Sequence, residues 1–221
     1  MNILLIGASR GIGLELVRQY AHAGARVIAT ARSEEGLQKI KALGAQALKL
    51  DVADPTSVSG LAWQLDGEKL DLVIYVAGVL DRASATTPPT QEAFDHTMHT
   101  NVLGAMQLIP QVAPLVEAAH GCFAFISSQM GCITRVPSSS SWLYRVSKAA
   151  LNMAVASAQH DYPQATLLVM HPGWVQTDMG GPQATLTVEQ SVASMRKTLS
   201  KVTPAQRGAY LDHDGTPFPG W

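Results

Sequence analysis

Long hydrophobic runs, cysteines and an excess of charge of either sign are all scarce in this 221-residue chain, and each scarcity excludes something. The longest clean apolar run, residues 72–80, is far shorter than the ~20 residues a helix needs to cross a bilayer. Strand-like sequence begins at Asn2 with no basic segment before it, so a cytoplasmic protein without a membrane partner is expected. Sixteen Lys and Arg against seventeen Asp and Glu leave a formal net charge of -1, with neither a basic stripe nor an acidic tail. That balance argues against a nucleic-acid partner and for a small neutral or anionic ligand. The only two cysteines, Cys122 and Cys132, flank a predicted strand without metal-type spacing, so packed residues or free thiols are expected rather than a disulfide. His96 and His99 share a helix face, but no Cys, Asp or Glu cluster completes a tetrahedral set beside them, and no metal is expected.

What the chain does have is the balance of a compact globular protein, 47% hydrophobic and 15% charged, in one expected domain over residues 1–221. Short β-branched runs alternate with longer helix-like segments from end to end. Strands are predicted at 2–6, 26–30, 47–50, 72–76, 123–127, 166–171 and 209–211, and helices at 12–23, 34–43, 57–65, 91–117, 141–160 and 188–200. Pro110 and Pro114 are expected to end or kink the fourth helix. The alternation predicts an α/β fold: a doubly wound (Rossmann) sheet of about seven parallel strands flanked by helices. In such a sheet a ligand sits outside the carboxyl ends of the strands where their order reverses. The irregular stretches 83–89, 134–141 and 179–185 each follow a strand's carboxyl end and are candidate pocket walls.

Strand one runs directly into Gly7-Ala8-Ser9-Arg10-Gly11-Ile12-Gly13 and then a helix. Glycines let the backbone approach a pyrophosphate, and free amides at the helix start favour its charge. At the end of strand two, where NAD-preferring sites place an acidic residue for the ribose, the chain reads Ala29-Thr30-Ala31-Arg32-Ser33. No carboxylate is there to repel a 2'-phosphate. Arg32 offers a planar fork to bind one and Arg10 a second cation, so NADP(H) is the expected cofactor. The alternative is that Arg32 is a solvated residue opening the next helix. Asp51-Val52 after strand three can accept from an adenine amino group or serve as a turn or cap carboxylate. Ala77-Gly78 after strand four lets a cofactor lie close.

Tyr144 and Lys148 are four residues apart on a predicted helix, which stacks them on one face. A phenol with a pKa near ~10 is a weak donor at neutral pH, and an adjacent ammonium is expected to lower that value. Alone the pair is a common coincidence. With the upstream motifs it is more.

Taken in order, these residues resemble the short-chain dehydrogenase/reductase family over nearly the whole chain. Gly7 to Gly13 matches its cofactor turn, Asp51-Val52 its adenine motif, Ala77-Gly78 the end of its Asn-Asn-Ala-Gly motif and Asn101-Val102 its Asn motif. Ser128, Tyr144 and Lys148 match its catalytic residues, and Pro172, Gly173, Val175 and Thr177 its nicotinamide-side loop. The runs 126–131, 144–152 and 171–181 and the ending 214–221 are similar to the C-factor and sniffer-like carbonyl reductase branch. The resemblance implies an NADP(H)-dependent reductase of a small carbonyl substrate, acting as a homodimer or homotetramer. Tyr144 would donate the proton and Ser128 a hydrogen bond to the carbonyl oxygen, with Ser127 as a rival. Lys148 would lower the Tyr144 pKa and hold the nicotinamide ribose, Asn101 would orient a water beside it, and Thr177 would bond the nicotinamide amide or else serve as a turn residue.

Three departures stand out: Ile6 replaces a Thr, Tyr75-Val76 replaces the Asn pair, and the interval from Ser128 to Tyr144 is longer than usual. The last implies that 134–141 bulges over the pocket. Leu80, Met130, Trp142, Trp174 and Met179 are candidate apolar walls, or core. An alternative function is an NADP-binding signalling or redox-sensing protein with little turnover, since members of this branch are associated with developmental signalling.

Overall fold

A computed structural model describes residues 1–221. Seven strands form one parallel sheet: β1 (Asn2–Ile6), β2 (Arg26–Ala31), β3 (Gln46–Lys49), β4 (Leu72–Tyr75), β5 (Cys122–Ile126), β6 (Thr166–His171) and β7 (Tyr210–Asp212). Their order is β3-β2-β1-β4-β5-β6-β7, so the direction of winding reverses between β1 and β4. That is where such a sheet opens a crevice.

The near-continuous apolar strands follow from burial on both faces. Side chains alternate across a strand, so Leu4 and Ile6 enter one core while Ile3 and Leu5 enter the other. Phe123 and Phe125 on β5 and Tyr75 on β4 fill the first core, with the two Phe rings stacked at 4.2 Å. Each such side chain contributes about 1.5–3 kcal/mol by leaving water. Helices α6 (Gly104–Glu117) and α7 (Trp142–Ala158) cover that face with Leu108, Val112, Leu151 and Val155. The other face is covered by α1 (Gly11–His22), α2 (Glu34–Ala42) and α8 (Val188–Leu199) through Leu16, Ile40 and Met195. No helix is long and apolar enough to cross a membrane. Cys122 and Cys132 are buried and free.

The segment expected as one helix over 91–117 is three: α5 (Gln91–Met98), a π-helical turn His99–Leu103, and α6. Pro110 and Pro114, expected to end or kink the helix, do not end the last of these. Both lie on its exposed side, where water can serve the carbonyls their missing N–H groups leave free. The irregularity falls instead around Asn101, and π turns concentrate at functional sites. The helix expected at 57–65 is split at Gly60 into α3 (Pro55–Ser59), capped by Asp54, and α4 (Leu61–Gln64).

Candidate active site

A cleft of about 570 Å³ opens at the β1/β4 reversal, within the range typical of small-molecule sites. Its phosphate-like end is made of backbone. Gly7 has φ +88°, and a Cβ there would lie 2.7 Å from Ala77, so only glycine lets the β1 turn pass this close to β4. α1 begins at Gly11 with no side-chain cap and no acidic residue in its first turn, leaving its positive end for a ligand. Ser9, Arg10, Ile12, Gly13 and Arg32 line the same end, and Arg32 enters no ion pair. Arg10 does: its Nη1 donates to Asp178 Oδ2 at 3.0 Å, both side chains being largely exposed. Asp51 and Val52 form the far wall, with Asp51 Oδ1 also accepting from the Ala53 amide at 3.0 Å, so the residue is both turn former and cleft wall.

At the other end the cleft is built from buried side chains. α7 carries Tyr144 and Lys148, both over nine-tenths buried, with Lys148 Nζ 5.6 Å from the Tyr144 ring centre. Lys148 Nζ donates to the Ile126 carbonyl at 2.8 Å, leaving two of its three donors for a ligand. Gly78 packs between this lysine and Asn101: a Cβ there would lie 3.5 Å from Lys148 Nζ and 3.3 Å from Asn101 Oδ1. Just before Trp142, Ser141 holds a left-handed φ of 53° without capping the helix, so the chain enters α7 through a strained residue.

The phenol differs from the expectation of a lowered pKa. Burial pushes Tyr144 up to about 12, with the nearby Ser128 hydroxyl pulling the other way. Burial likewise pushes the Lys148 ammonium down to about 8. In a dry site each charged form loses hydration, which raises a phenol and lowers an ammonium.

Ser128 lies two residues beyond β5, close to the Tyr144 hydroxyl but not on the cleft wall, its Oγ accepting from the Met130 amide at 3.1 Å. Its rival Ser127 touches the cleft, but the Ser127 hydroxyl is spent on Asn152 Oδ1. Asn101 is fully buried and does not line the cleft. Its Oδ1 accepts from the Val79 amide at 2.8 Å, and its Nδ2 donates to the Val79 carbonyl and to Ser147 Oγ, both at 2.9 Å. The Asn101 side chain is therefore a strut with both donors used, tying the β4 loop to α7.

In the loop after β6, Pro172 and Thr177 line the cleft, whereas Gly173 and Val175 do not. The Thr177 hydroxyl accepts from the Gly180 amide at 3.0 Å, a turn-former's bond, while its methyl faces Gly11 across the cleft. Of the five candidate apolar walls only Met179 lines the cleft. No residue of the stretch 134–141 lines it. The stretch is held at its start by Trp221, whose carbonyl accepts from the Ile133 and Thr134 amides at 2.8 and 3.2 Å. Sequence reasoning missed Val79, Thr100, Gln176 and Asp178 on the cleft wall. Asp178, the acid beside Thr177, was the one with a visible signal, since a charge in that loop wants a partner.

Comparison with known proteins gives a consistent picture. C-signal of Myxococcus xanthus is 37% identical over 153 residues, 68% of this chain and 92% of that protein. The carbonyl reductase Sniffer of D. melanogaster matches with a TM-score of 0.91 at 29% identity, covering 100% of this chain and 99% of that one. A carbonyl reductase from Pseudomonas aeruginosa PAO1, solved in complex with NADP, matches with a TM-score of 0.85 at 31% identity, covering 100% and 99%. The family model described as short chain dehydrogenase matches residues 1–186, and with the parallel sheet, the glycine turn and the Tyr144–Lys148 pair in place, the chain belongs to that family of oxidoreductases.

Proposed function

We propose that this protein uses NADPH to reduce the carbonyl of a small aldehyde, ketone or quinone, with Tyr144 as the proton donor. The observation that carries the reading is the pairing of two ends in one cleft. Tyr144 and Lys148 line the buried end with Ser128 beside Tyr144, and Arg32, which enters no ion pair, stands at the open one. The residues fit a dinucleotide phosphate: an uncapped helix start suits a pyrophosphate and an unpaired guanidinium suits a 2'-phosphate. When bound, the nicotinamide supplies the hydride.

The chain's own residues then manage charge and proton. As negative charge develops on the substrate oxygen, the Ser128 hydroxyl donates a hydrogen bond to it. Tyr144, pushed up to about 12, is fully protonated at neutral pH yet remains a far stronger acid than the product alcohol, so its proton passes to the oxygen downhill. Lys148 is still mostly charged at pH 7 and stabilises the phenolate left behind, and its free donors hold the nicotinamide ribose. Asn101 keeps Val79 and Ser147 in register around both. A cytoplasmic homodimer or homotetramer belongs to the same reading, supported by exposed Met106, Val146 and Met153 on α6 and α7.

The test is NADPH oxidation against a panel of aldehydes, ketones and quinones. At least one class is expected to turn over, and Tyr144→Phe is expected to lose ~10²–10⁴-fold in kcat while still binding NADPH. The likeness to C-signal favours a second reading, a signalling protein that binds NADP with little turnover. Tight NADPH binding with no turnover on any carbonyl would establish that reading instead.

A further inference from the structure

Ser128 has a second support, one that comes from the far end of the chain. We infer that Tyr210, held by the segment that follows it to Trp221, is a positioning residue that fixes the Ser128 backbone and so aims its hydroxyl. This rests on the reading of Ser128 as the donor to the substrate oxygen.

The Tyr210 hydroxyl, on β7, donates to the Ser128 carbonyl at 2.5 Å in a buried setting, across 82 residues of sequence. The same carbonyl accepts from the Gly131 amide at 2.8 Å, and Ser128 Oγ accepts from the Met130 amide. Three bonds therefore set both the peptide plane and the side-chain rotamer at the point where β5 gives way to the 129–131 turn. Two of them are local. Only the Tyr210 bond ties the turn to the sheet, because Tyr210 pairs with Val169 on β6.

The tyrosine is itself clamped. Phe218 stacks on its ring at 4.0 Å with 4° between planes, and the Phe218 amide donates to the Tyr210 carbonyl at 2.9 Å. Trp221 lies against the same ring at 5.7 Å. The Trp221 carbonyl takes the amides of Ile133 and Thr134, and the Gly220 carbonyl accepts from Cys132 Sγ at 3.4 Å. One short segment thus grips Tyr210 on one side and the chain leaving Ser128 on the other. A plain packing role would require the ring but not its hydroxyl, whereas the bond to a buried carbonyl is a demand on the oxygen alone. Burial also raises the Tyr210 pKa, so it stays a donor through any working pH.

Tyr210→Phe keeps the ring and removes the bond. With NADPH and para-nitrobenzaldehyde as the probe, it is expected to lower kcat ~10-fold, as misplacing a reacting group does, while leaving the KM for NADPH within ~2-fold. Ser128→Ala is expected to lose ~10²–10³-fold. In the Ser128→Ala background Tyr210→Phe should cost less than ~2-fold, because there is no hydroxyl left to aim. A full ~10-fold loss in both backgrounds overturns the inference, since an additive effect means general loosening. An unchanged kcat in Tyr210→Phe beside an inactive Ser128→Ala overturns it too and leaves the role of Ser128 standing. Full activity in Ser128→Ala overturns that role and the inference with it. Amide exchange at Met130 and Gly131 reads the same geometry without turnover. It should quicken at least ~5-fold in Tyr210→Phe with the β5 amides unchanged, and unaltered protection would overturn the inference.

Discussion

The two ends of the cleft are built from different materials. The open end is backbone and exposed cation: the Gly7 turn, the uncapped start of α1, Arg10 and Arg32. The closed end is buried side chain: Tyr144 and Lys148 on its wall, with Ser128 and the strut Asn101 beside them. At the open end water competes with every contact, so affinity is gathered from many modest bonds. At the closed end a few groups carry large shifts because water is gone, Tyr144 moving up to about 12 and Lys148 down to about 8. On the proposed reading, binding is spread and tolerant, while chemistry is concentrated and easily lost.

The largest break should therefore come at Lys148. Lys148→Met is expected to reduce kcat by at least ~10²-fold, the scale of removing a transition-state electrostatic partner. Titration in the intact protein sharpens the point. Reductive kcat should fall as pH rises through about 8, where Lys148 loses its proton. Its contribution to stability should move the other way. The folded pKa lies below the ordinary lysine value of 10.5, so between about 8 and 10.5 the unfolded chain holds more protons at this site and stability rises with pH. Lys148→Met should abolish that slope, as read by denaturant titration at several pH values. A kcat flat through this range would break the contrast between the two ends.

Next in size is Arg32→Ala at the open end. Losing a charge-assisted pair with a 2'-phosphate costs ~1.5–3 kcal/mol, so the KM for NADPH should rise ~10–100-fold with that for NADH spared. Equal losses with both cofactors would mean that Arg32 acts on the fold rather than on the phosphate.

The same contrast explains what could be read in advance. The seven strands were legible because burial on both faces writes continuous apolar runs, and the open end because glycine spacing and an absent carboxylate are features of sequence alone. The closed end was legible in its residue types but not in its energetics. Tyr144 and Lys148 at helical spacing suggest a lowered phenol pKa, and only their depth in the fold reverses that. Asn101 shows what a motif leaves out: its bonds depend on Val79 and Ser147, neither of which is near it in sequence. The start of the stretch 134–141 was illegible for a similar reason, since what holds Thr134 is Trp221.

Tyr75 joins both lessons. It stands where the family pattern has an Asn, and its hydroxyl donates to the Thr100 carbonyl at 2.7 Å, inside the π-helical turn beside Asn101. Its core ring and buried polar tip make it a pin between β4 and that turn. Tyr75→Phe keeps the packing and leaves the carbonyl unpaired, so stability should fall by about 1–3 kcal/mol. The loss should appear as a shifted denaturation midpoint without a change in slope. A neutral effect would mean that water reaches the turn and that the closed end is less dry than its burial indicates.

The smallest effect belongs to the exposed pair Arg10 and Asp178, 72% and 82% accessible, which bridges the glycine turn to the loop after β6. Such a pair is worth about 0–1 kcal/mol, since solvent screens the attraction and two mobile side chains must be held still. Asp178→Asn should therefore leave stability within about 1 kcal/mol of the original, with any difference shrinking as salt is added. The loop would not come loose, because Arg82 Nη2 also donates to the Met179 carbonyl at 2.8 Å and Trp174 Nε1 to the Gly180 carbonyl at 2.9 Å. The change also releases Arg10 from its one acidic partner, so NADPH affinity should hold or improve while NADH affinity stays put. If Asp178→Asn instead cost as much as Tyr75→Phe, a solvent-exposed bond would be acting like a buried one, and the line between the two ends of the cleft would have to be redrawn inside this loop.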